Sequence, residues 1–404
     1  MTRVFMRDLS QSRRRPAKLM AAACLIALET LLVLEALLRA LPARLRPSGR
    51  TSSEWSAPYG VPHPAWGSWH RPDACATETA DCFQARYCAN SFGMRDKPRR
   101  LAGAVPRVAF LGDSYLEGLG VDDGETMTRL LEDVWWQGRI EALNLGVRNI
   151  GTTQEWLIYR ELARKFRPDL VVLLFDNTTD PLDNSWWFRR DHRPLAGTRP
   201  YLLKDAAGRF ELVHRENSQA QLARQAGRER RMSWLLPLVR RSMVLRALTA
   251  VHSRGNSARM LVRGLGPFGA YATRPDRDWE LSWETTEEAL ARLKEDVERD
   301  GSKLLVIQLP DHFQVDPQAA AEIAARPGYD ILHPNRRLRE MTRRLGISYL
   351  SLYEPFMRHR DRQRPAQPGF NLPCDPHWAP LGHRVAAEAL ADVLPRMLGK
   401  RLVR

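Results

Sequence analysis

Cysteine and the side-chain clusters that bind metal are scarce in this sequence. Only five of the 404 residues are cysteine, and Cys75, Cys82 and Cys88 do not have the spacing of a zinc site. No group of His, Cys, Asp or Glu has metal-ligand spacing, and no internal repeat is present. The sequence therefore predicts no metal and no cofactor, and it excludes a repeat architecture.

Acidic residues are also few relative to basic ones. The chain has 62 Lys and Arg against 47 Asp and Glu, which gives a net charge of +15 and a pI near 10.1. Such a protein is attracted to nucleic acid, anionic lipid or acidic glycans. Zinc-finger spacing and RNP-like aromatic motifs are absent, so we expect no nucleic-acid partner. Hydrophobic residues make up 44%, which excludes a disordered chain.

The one long apolar run lies near the N-terminus. Leu19–Leu38 has about the length of one bilayer crossing and follows four basic residues between positions 13 and 18. We expect a cytoplasmic basic tail over 1–18, a transmembrane anchor over 19–39 and a stalk over 40–88. Glu29 and Glu35 lie within this run and weaken the evidence for a membrane span. The alternative, a cleaved signal peptide, is less favoured because no small-x-small cleavage site follows.

An anchor of this orientation places the rest of the chain outside the cytoplasm, where disulfides form. Cys24 lies in the apolar run, so four cysteines remain and allow three connectivities. We expect Cys75 to pair with Cys82 and Cys88 with Cys374.

From Arg107 onward, short apolar runs alternate with helical patterns. This alternation predicts a parallel sheet covered by helices on both faces, with the site at the carboxyl ends of the strands. A basic segment over about 186–283 interrupts the pattern and is too long for a connection, so we expect an inserted, mainly helical lid. Its arginines fit an acidic polymer or anionic lipid headgroups, and equally a solvated helical face. The runs read as strands are "RVAFLGDS", "IEALNLGV", "PDLVVLLFDN", "SKLLVIQLP" and "SYLSLYEPF".

Two short motifs supply the residue types of a catalytic triad. Ser114 ends the "GDS" that follows the first strand of the alternating region, and "DPH" places Asp375 two residues before His377 near the C-terminus. A serine nucleophile needs a base to take its proton, and the base needs an acid to fix its tautomer. Each motif alone is common in turns, whereas both together predict a nucleophile site.

Five sequence blocks in the same order resemble the SGNH/GDSL hydrolase family, in particular its membrane-anchored bacterial members. They are "NSFGMRD" from Asn90, "GDS", "NLGVRNIGTTQEW", "DNTTDPLDN" and "DPHWAPLG". The resemblance implies a three-layer α/β/α flavodoxin-like fold over 89–404. It also implies Ser114 as nucleophile, His377 as general base and Asp375 as the group that orients it.

The sequence departs from the family pattern where the oxyanion donors are expected. Asn149 stands at the middle glycine of the second block, and Thr179 replaces the asparagine of the third. We expect the N–H groups of Ser114 and of Gly151 or Asn149 to hold the oxyanion, with the Thr179 hydroxyl or the Asn177 amide as the third donor.

Two further residues near this site have a less defined role. Asp113, in the "GDS" motif, is placed with the oxyanion and substrate-binding residues. Arg95 either binds a substrate carboxylate or braces its own loop.

The resemblance implies a serine esterase that removes O-acyl groups, above all O-acetyl, from a cell-envelope or exported polysaccharide. It would be held in the bacterial inner membrane by one helix and face the periplasm, where its candidate partner is polysaccharide-export or polysaccharide-modification machinery. Two alternatives stay open. One is an O-acyltransferase that uses the same acyl-enzyme. The other is a non-catalytic glycan-binding scaffold with a degenerate site.

Overall fold

A computed structural model describes residues 22–40 except 24, 59–186 except 81, 199–213, 242–247 except 246, 267–362 and 369–399. The chain divides into two compact units. One consists of residues 1–51 and 228–259, and the other of residues 52–227 and 260–404.

In the first unit, residues 22–40 except 24 form helix α1, and residues 243–247 except 246 form a short helical turn. The Glu35 carboxylate accepts from the N–H groups of Met243 and Val244 at 2.8 and 3.0 Å and thereby caps that turn. None of the described helices combines the length and apolar character that crossing a membrane requires. The anchor predicted over 19–39 is therefore not confirmed, and Glu29, Glu35 and Arg39 interrupt its apolar sequence.

The second unit contains the strands of the described residues and the remaining described helices. The strands are β1 (Gly60–His63), β2 (Gly67–His70), β3 (Cys75–Thr79), β4 (Gln84–Cys88), β5 (Arg107–Gly112), β6 (Glu141–Gly146), β7 (Leu170–Phe175), β8 (Tyr201–Lys204), β9 (Phe210–Val213), β10 (Lys303–Gln308) and β11 (Ser348–Ser351). The helices are α2 (Ser114–Glu117), α3 (Met127–Arg129), α4 (Thr152–Glu161), α5 (Thr179–Asn184), α6 (Arg277–Arg299), α7 (His312–Val315), α8 (Pro317–Ala324), α9 (His333–Leu345), α10 (Tyr353–Arg362), α11 (Pro380–Ala391) and α12 (Val393–Leu398).

The central sheet is parallel, as the alternating pattern predicts. Its five strands stand in the order β6-β5-β7-β10-β11, which is the 2-1-3-4-5 order of a doubly wound flavodoxin-like sheet. Every residue of β5 and β7 is buried, because both faces of the sheet are covered. The strand order reverses between β5 and β7, and ligand sites of such sheets lie at that switch point.

Alternate residues of the strands feed two separate apolar cores. Ala109 and Leu111 of β5 pack in the core that α4, α6 and α9 cover. Val108 and Phe110 pack in the opposite core, which α3, α10, α11 and α12 cover. The result is the three-layer α/β/α arrangement.

The stalk predicted over 40–88 contains regular structure from Gly60 onward. Strands β1 and β2 form one antiparallel hairpin, and β3 and β4 form a second. Strands of four or five residues are too short to show a clear period in the sequence. In β4, for example, only Ala85 and Tyr87 alternate inward.

The predicted disulfide pairing is wrong. Cys75 pairs with Cys88 and Cys82 with Cys374. In the β3–β4 ladder Cys75 lies directly opposite Cys88, with their Cα atoms 4.2 Å apart, whereas Cys82 lies in the connection between the strands. The pairing depends on the register of a hairpin that the sequence pattern did not reveal.

The insertion predicted over 186–283 extends too far at its C-terminal end. Helix α6 begins at Arg277, after the N-cap Asp276, and buries Trp279 and Trp283 in the core. Within the predicted insertion, β8 and β9 form a hairpin rather than a helix. Much of the predicted helical lid lies outside the described residues.

Candidate active site

Ser114 lies at the switch point of the sheet. Strand β5 ends at Gly112, and Asp113 caps helix α2 by accepting from the Tyr115 N–H at 2.9 Å. Ser114 is therefore the first residue of that helix, where N–H groups have no intrahelical acceptor. Helix α2 ends after one turn at Gly118, whose φ of 85° is left-handed. The strand-turn-helix holds the serine at the carboxyl end of a central strand.

The three residues of the predicted triad form one hydrogen-bonded chain. Ser114 Oγ lies 2.7 Å from His377 Nε2, and His377 Nδ1 lies 2.5 Å from Asp375 Oδ1. The Asp375 side chain is 2% exposed and that of His377 is 13% exposed. The acid is thus shielded from water, while the imidazole remains reachable from outside.

A tight loop before α11 shapes the acid–base pair. Asp375 Oδ1 accepts from the backbone N–H of His377 at 3.0 Å, and the Leu372 N–H donates to the His377 carbonyl at 2.9 Å. Tyr115, which the sequence analysis did not single out, donates its hydroxyl to the Pro376 carbonyl at 2.9 Å. Its ring centroid lies 4.8 Å from that of His377. The residue after the nucleophile therefore contacts the loop that carries the base.

Two of the predicted oxyanion donors are engaged within the protein. The Gly151 N–H donates to Gln154 Oε1 at 3.0 Å, in a capping arrangement at the start of α4. Thr179 Oγ1 lies 2.8 Å from Asp113 Oδ2 and donates to it when Asp113 is ionised. A Cβ at position 151 would lie 2.9 Å from the Asp180 carbonyl, so the close packing there requires glycine.

Asn149 and Asn177, the other two predicted donors, are also held by contacts within the protein. Asn149 has a φ of 64°, a left-handed conformation in which asparagine is among the tolerated residues, and its carbonyl accepts from Arg199. Asn177 is fully buried, and its amide is bonded to the side chains of Gln308 and Gln314. The Asn177 amide is thus committed to a buried network, and it is not brought to Ser114 by any described contact.

Asp113 has a raised pKa. Its side chain is buried, and burial together with the charge of Asp176 raises the pKa of Asp113 to about 8. Asp113 is therefore largely protonated at neutral pH, when its carboxyl hydrogen can be donated to Thr179 Oγ1.

Further buried acids lie behind Asp113. Burial raises the pKa of Glu155 well above its usual range, and burial with the neighbouring Glu155 does the same for Asp180. Neither carboxyl oxygen of Glu155 has a hydrogen-bond partner among the described residues. In the described part of the chain, no three His, Cys, Asp or Glu residues are placed to hold a metal ion. Burial thus favours the protonated form of the Glu155 and Asp180 carboxyls.

The contacts of Arg95 fit the structural one of its two expected roles, bracing its loop, rather than the binding of a substrate carboxylate. Its side chain is 1% exposed and pairs with Asp123 at 2.9 Å. The same guanidinium donates to the carbonyls of Glu117, Gly118 and Val121 at 2.5–2.8 Å. It therefore fixes the end of α2.

A buried ion-pair network was missed in the sequence because its members are far apart. Glu117, the last residue of α2, accepts from Arg148 Nη2 at 2.8 Å and lies 3.6 Å from His70 Nε2. Burial alone would raise the pKa of Glu117, but Arg148 and His70 outweigh it and hold the pKa well below its usual range. The charge patterns of the sequence give no sign that these residues meet.

Comparison with known proteins supports the motif-based interpretation. Residues 268–402 match the family model described as the SGNH hydrolase-like domain of the acetyltransferase AlgX. The matched stretch contains Asp375 and His377, and Ser114 precedes it. No curated protein matches the chain.

The chain is similar to several solved structures at low sequence identity. An acetyl xylan esterase, AlAXEase, is 12% identical with a TM-score of 0.39, covering 72% of this chain and all of that one. TesA is 12% identical with a TM-score of 0.36, covering 72% and 99%. A catalytic mutant of Axe2, an acetylxylan esterase from Geobacillus stearothermophilus, is 12% identical with a TM-score of 0.36, covering 75% and 98%. Over residues 268–402, and in its five ordered blocks, the chain is similar to the SGNH hydrolases.

Proposed function

We propose that the protein is a serine esterase that cleaves an O-acyl ester through an acyl-enzyme on Ser114. The hydrogen-bonded chain Ser114–His377–Asp375, with 2.7 and 2.5 Å between successive heavy atoms, carries this proposal. It has the geometry that a serine needs in order to lose its proton to a neighbouring imidazole.

The reaction proceeds in two halves. Ser114 Oγ attacks the acyl carbonyl carbon while His377 Nε2 takes the hydroxyl proton, and His377 then gives that proton to the departing sugar oxygen. In the second half, a water attacks the acyl carbonyl carbon while His377 takes its proton; His377 then gives that proton to Ser114 Oγ as the acyl–Oγ bond breaks and the acid leaves. Asp375 stabilises the imidazolium in both halves.

The proposed substrate is an O-acetyl group on an acidic polysaccharide outside the cytoplasm. The acetyl group is the one transferred by the protein that names the matching family model. The net charge of +15 favours an acidic polymer. The two disulfides favour an oxidising compartment. Attachment to the inner membrane through 19–39 stays a prediction of the sequence.

The second candidate is an O-acyltransferase, favoured by the match to an acetyltransferase family. Its first half-reaction is the same. In the second half, a sugar hydroxyl replaces water and attacks the acyl carbonyl carbon while His377 takes its proton, and His377 then protonates Ser114 Oγ as the acetyl group passes to the sugar. The two candidates therefore differ only in the acceptor.

The experiment follows the acetyl group. Full-length protein is incubated with a deuterioacetylated uronic-acid polysaccharide and an unacetylated acceptor oligosaccharide, beside Ser114→Ala. We expect free deuterioacetate from the wild type and none from the variant. Label on the acceptor instead would establish transfer. If Ser114→Ala forms free deuterioacetate or labelled acceptor as fast as the wild type, both candidates are contradicted, because the chemistry then does not use this serine.

A further inference from the structure

The Cys82–Cys374 disulfide ends next to the proposed acid–base pair. Cys374 directly precedes Asp375 and lies three residues before His377. The disulfide joins this loop to the connection between β3 and β4, 292 residues away in the chain, and the Cys374 N–H lies 3.1 Å from Cys82 Sγ. The β3–β4 hairpin is thus covalently attached to the loop that carries the base, His377.

The same hairpin also contacts the segment that follows the nucleophile helix. The Arg86 N–H donates to Asp122 Oδ1 at 2.8 Å, and the Gly120 N–H donates to the Tyr87 hydroxyl at 2.9 Å. A Cβ at Gly120 would collide with Leu372 of the base-bearing loop and lie 3.5 Å from Phe83 of the hairpin. The hairpin, the segment after α2 and the base-bearing loop therefore meet at Gly120.

Arg95 completes the connection between the hairpin and α2. Its guanidinium lies 4.1 Å from the Tyr87 ring centroid and donates to the Arg86 carbonyl at 3.3 Å. It also donates to the Glu117 carbonyl at 2.8 Å. One side chain thus joins β4 to the last residue of the nucleophile helix.

We infer that the β3–β4 hairpin is a positioning element for the triad, with Cys82 and Cys374 as its positioning residues. Ser114 and His377 are 263 residues apart in the sequence of the second unit. The hairpin holds the segments that carry both residues and so fixes the distance between Ser114 Oγ and His377 Nε2. This inference rests on the proposed serine chemistry, and it adds the element on which that chemistry depends.

The two disulfides of the hairpin provide a matched pair of variants. Cys82→Ser/Cys374→Ser removes the attachment to the base-bearing loop. Cys75→Ser/Cys88→Ser removes a disulfide within the hairpin and leaves that attachment intact. All full-length proteins, including the parent, carry Cys24→Ser so that no other thiol can react.

Two measurements distinguish positioning from general stability. The first is the rate at which a fluorophosphonate labels Ser114, taken as a function of pH. The second is hydrogen exchange of the peptide over 370–379, whose Leu372, Asp375 and Ala379 amides are bonded within the loop. For Cys82→Ser/Cys374→Ser we expect labelling to slow by at least ~10-fold and loop exchange to accelerate, since small displacements of reacting groups cost this much. The Cys75→Ser/Cys88→Ser protein should match the parent within ~2-fold.

A third experiment tests the inference if Cys82→Ser/Cys374→Ser does not fold. Folded Cys75→Ser/Cys88→Ser protein is reduced under native conditions and then reoxidised. Labelling should fall on reduction and recover on reoxidation.

Unchanged labelling and exchange after loss of Cys82–Cys374 would overturn the inference. Equal slowing in both disulfide variants, in proportion to their lost stability, would also overturn it. A parent protein that does not label at all would contradict the proposed function instead, and the exchange measurement alone would then decide whether the hairpin positions the loop.

Discussion

Several carboxyl groups are buried together behind Ser114, and this shapes the chemistry at the residue scale. Asp113, Glu155 and Asp180 are each at most 2% exposed. The nearby Arg199 is bonded to a different acid, Asp183, at 2.6 Å. An unpaired buried carboxylate costs several kcal/mol, so raised pKa values and bound protons are the expected result.

The first prediction concerns Asp113 and stability. Its pKa is higher in the folded protein than in the unfolded chain, so its contribution to the free energy of unfolding is lost as the pH rises from about 4 to about 8. Asp113→Asn keeps both hydrogen bonds without the charge. Its stability relative to wild type should increase by about 1–3 kcal/mol between pH 5 and pH 8, as measured by urea unfolding. The exposed Asp361→Asn is the control, and an advantage for Asp113→Asn that does not change with pH would contradict the account.

The second prediction concerns Thr179. When Asp113 is protonated and donates to Thr179 Oγ1, the threonine hydroxyl hydrogen is free to turn to a developing oxyanion. One such donor is worth about 3 kcal/mol. Thr179→Val should therefore lower kcat by about 100-fold or more with little change in KM, whereas Thr179→Ser should retain most of the activity. Wild-type kcat in the valine variant would show that the hydroxyl takes no part.

At the element scale, helix α2 depends on its neighbours because a single turn is not stable alone. Glu117 anchors its end to Arg148 and His70, all with buried side chains. The pairing joins α2 to the segment after β6 and to β2. The position of Ser114 is therefore set by two ends, the Asp113 cap and the Glu117 anchor.

The third prediction tests this anchor. Arg148→Met leaves the Glu117 carboxylate buried without its main partner and should destabilise the protein by about 3–5 kcal/mol. The double variant Glu117→Leu/Arg148→Met removes both charges and should recover much of that loss, because the desolvation cost disappears with the pair. Chemical unfolding of wild type, both single variants and the double variant measures this. Additive losses would show that the two side chains act independently.

Strongly apolar elements were predictable from the sequence, and elements defined by distant partners were not. Strands β5 and β7 are continuous apolar runs, so their place in a parallel sheet followed directly. Strands β3 and β4 are short, and the Cys75–Cys88 pairing depends on their register. Ser114, Asp375 and His377 were found because they lie in short ordered motifs. Tyr115 and Arg148 were missed because only the folded chain brings their partners near.

The predicted oxyanion donors show the same limit at finer detail. A motif identifies Gly151 and Thr179 by position but not their hydrogen-bond partners. Gln154 meets Gly151 through the local geometry at the start of α4, and Asp113 meets Thr179 only when α5 packs near the end of β5. The departures from the family pattern therefore showed where the site is altered. They did not show what each side chain contacts.

At the scale of the whole molecule, the triad joins distant parts of the chain. Ser114 follows the central strand β5, whereas Asp375 and His377 precede α11. The sheet sets the first position, and the C-terminal loop, attached through Cys82–Cys374, sets the second. With both positions set, Ser114 should be chemically activated in the folded full-length protein.

The most direct test is intact-mass analysis after incubation with a fluorophosphonate probe. Wild-type protein should gain the mass of one bound probe. Ser114→Ala should gain none, and His377→Ala should react at least ~100-fold more slowly. Circular dichroism establishes that each variant is folded. A folded wild-type protein that gains no mass, or a Ser114→Ala protein that gains as much as wild type, would contradict the assignment of Ser114 as the nucleophile.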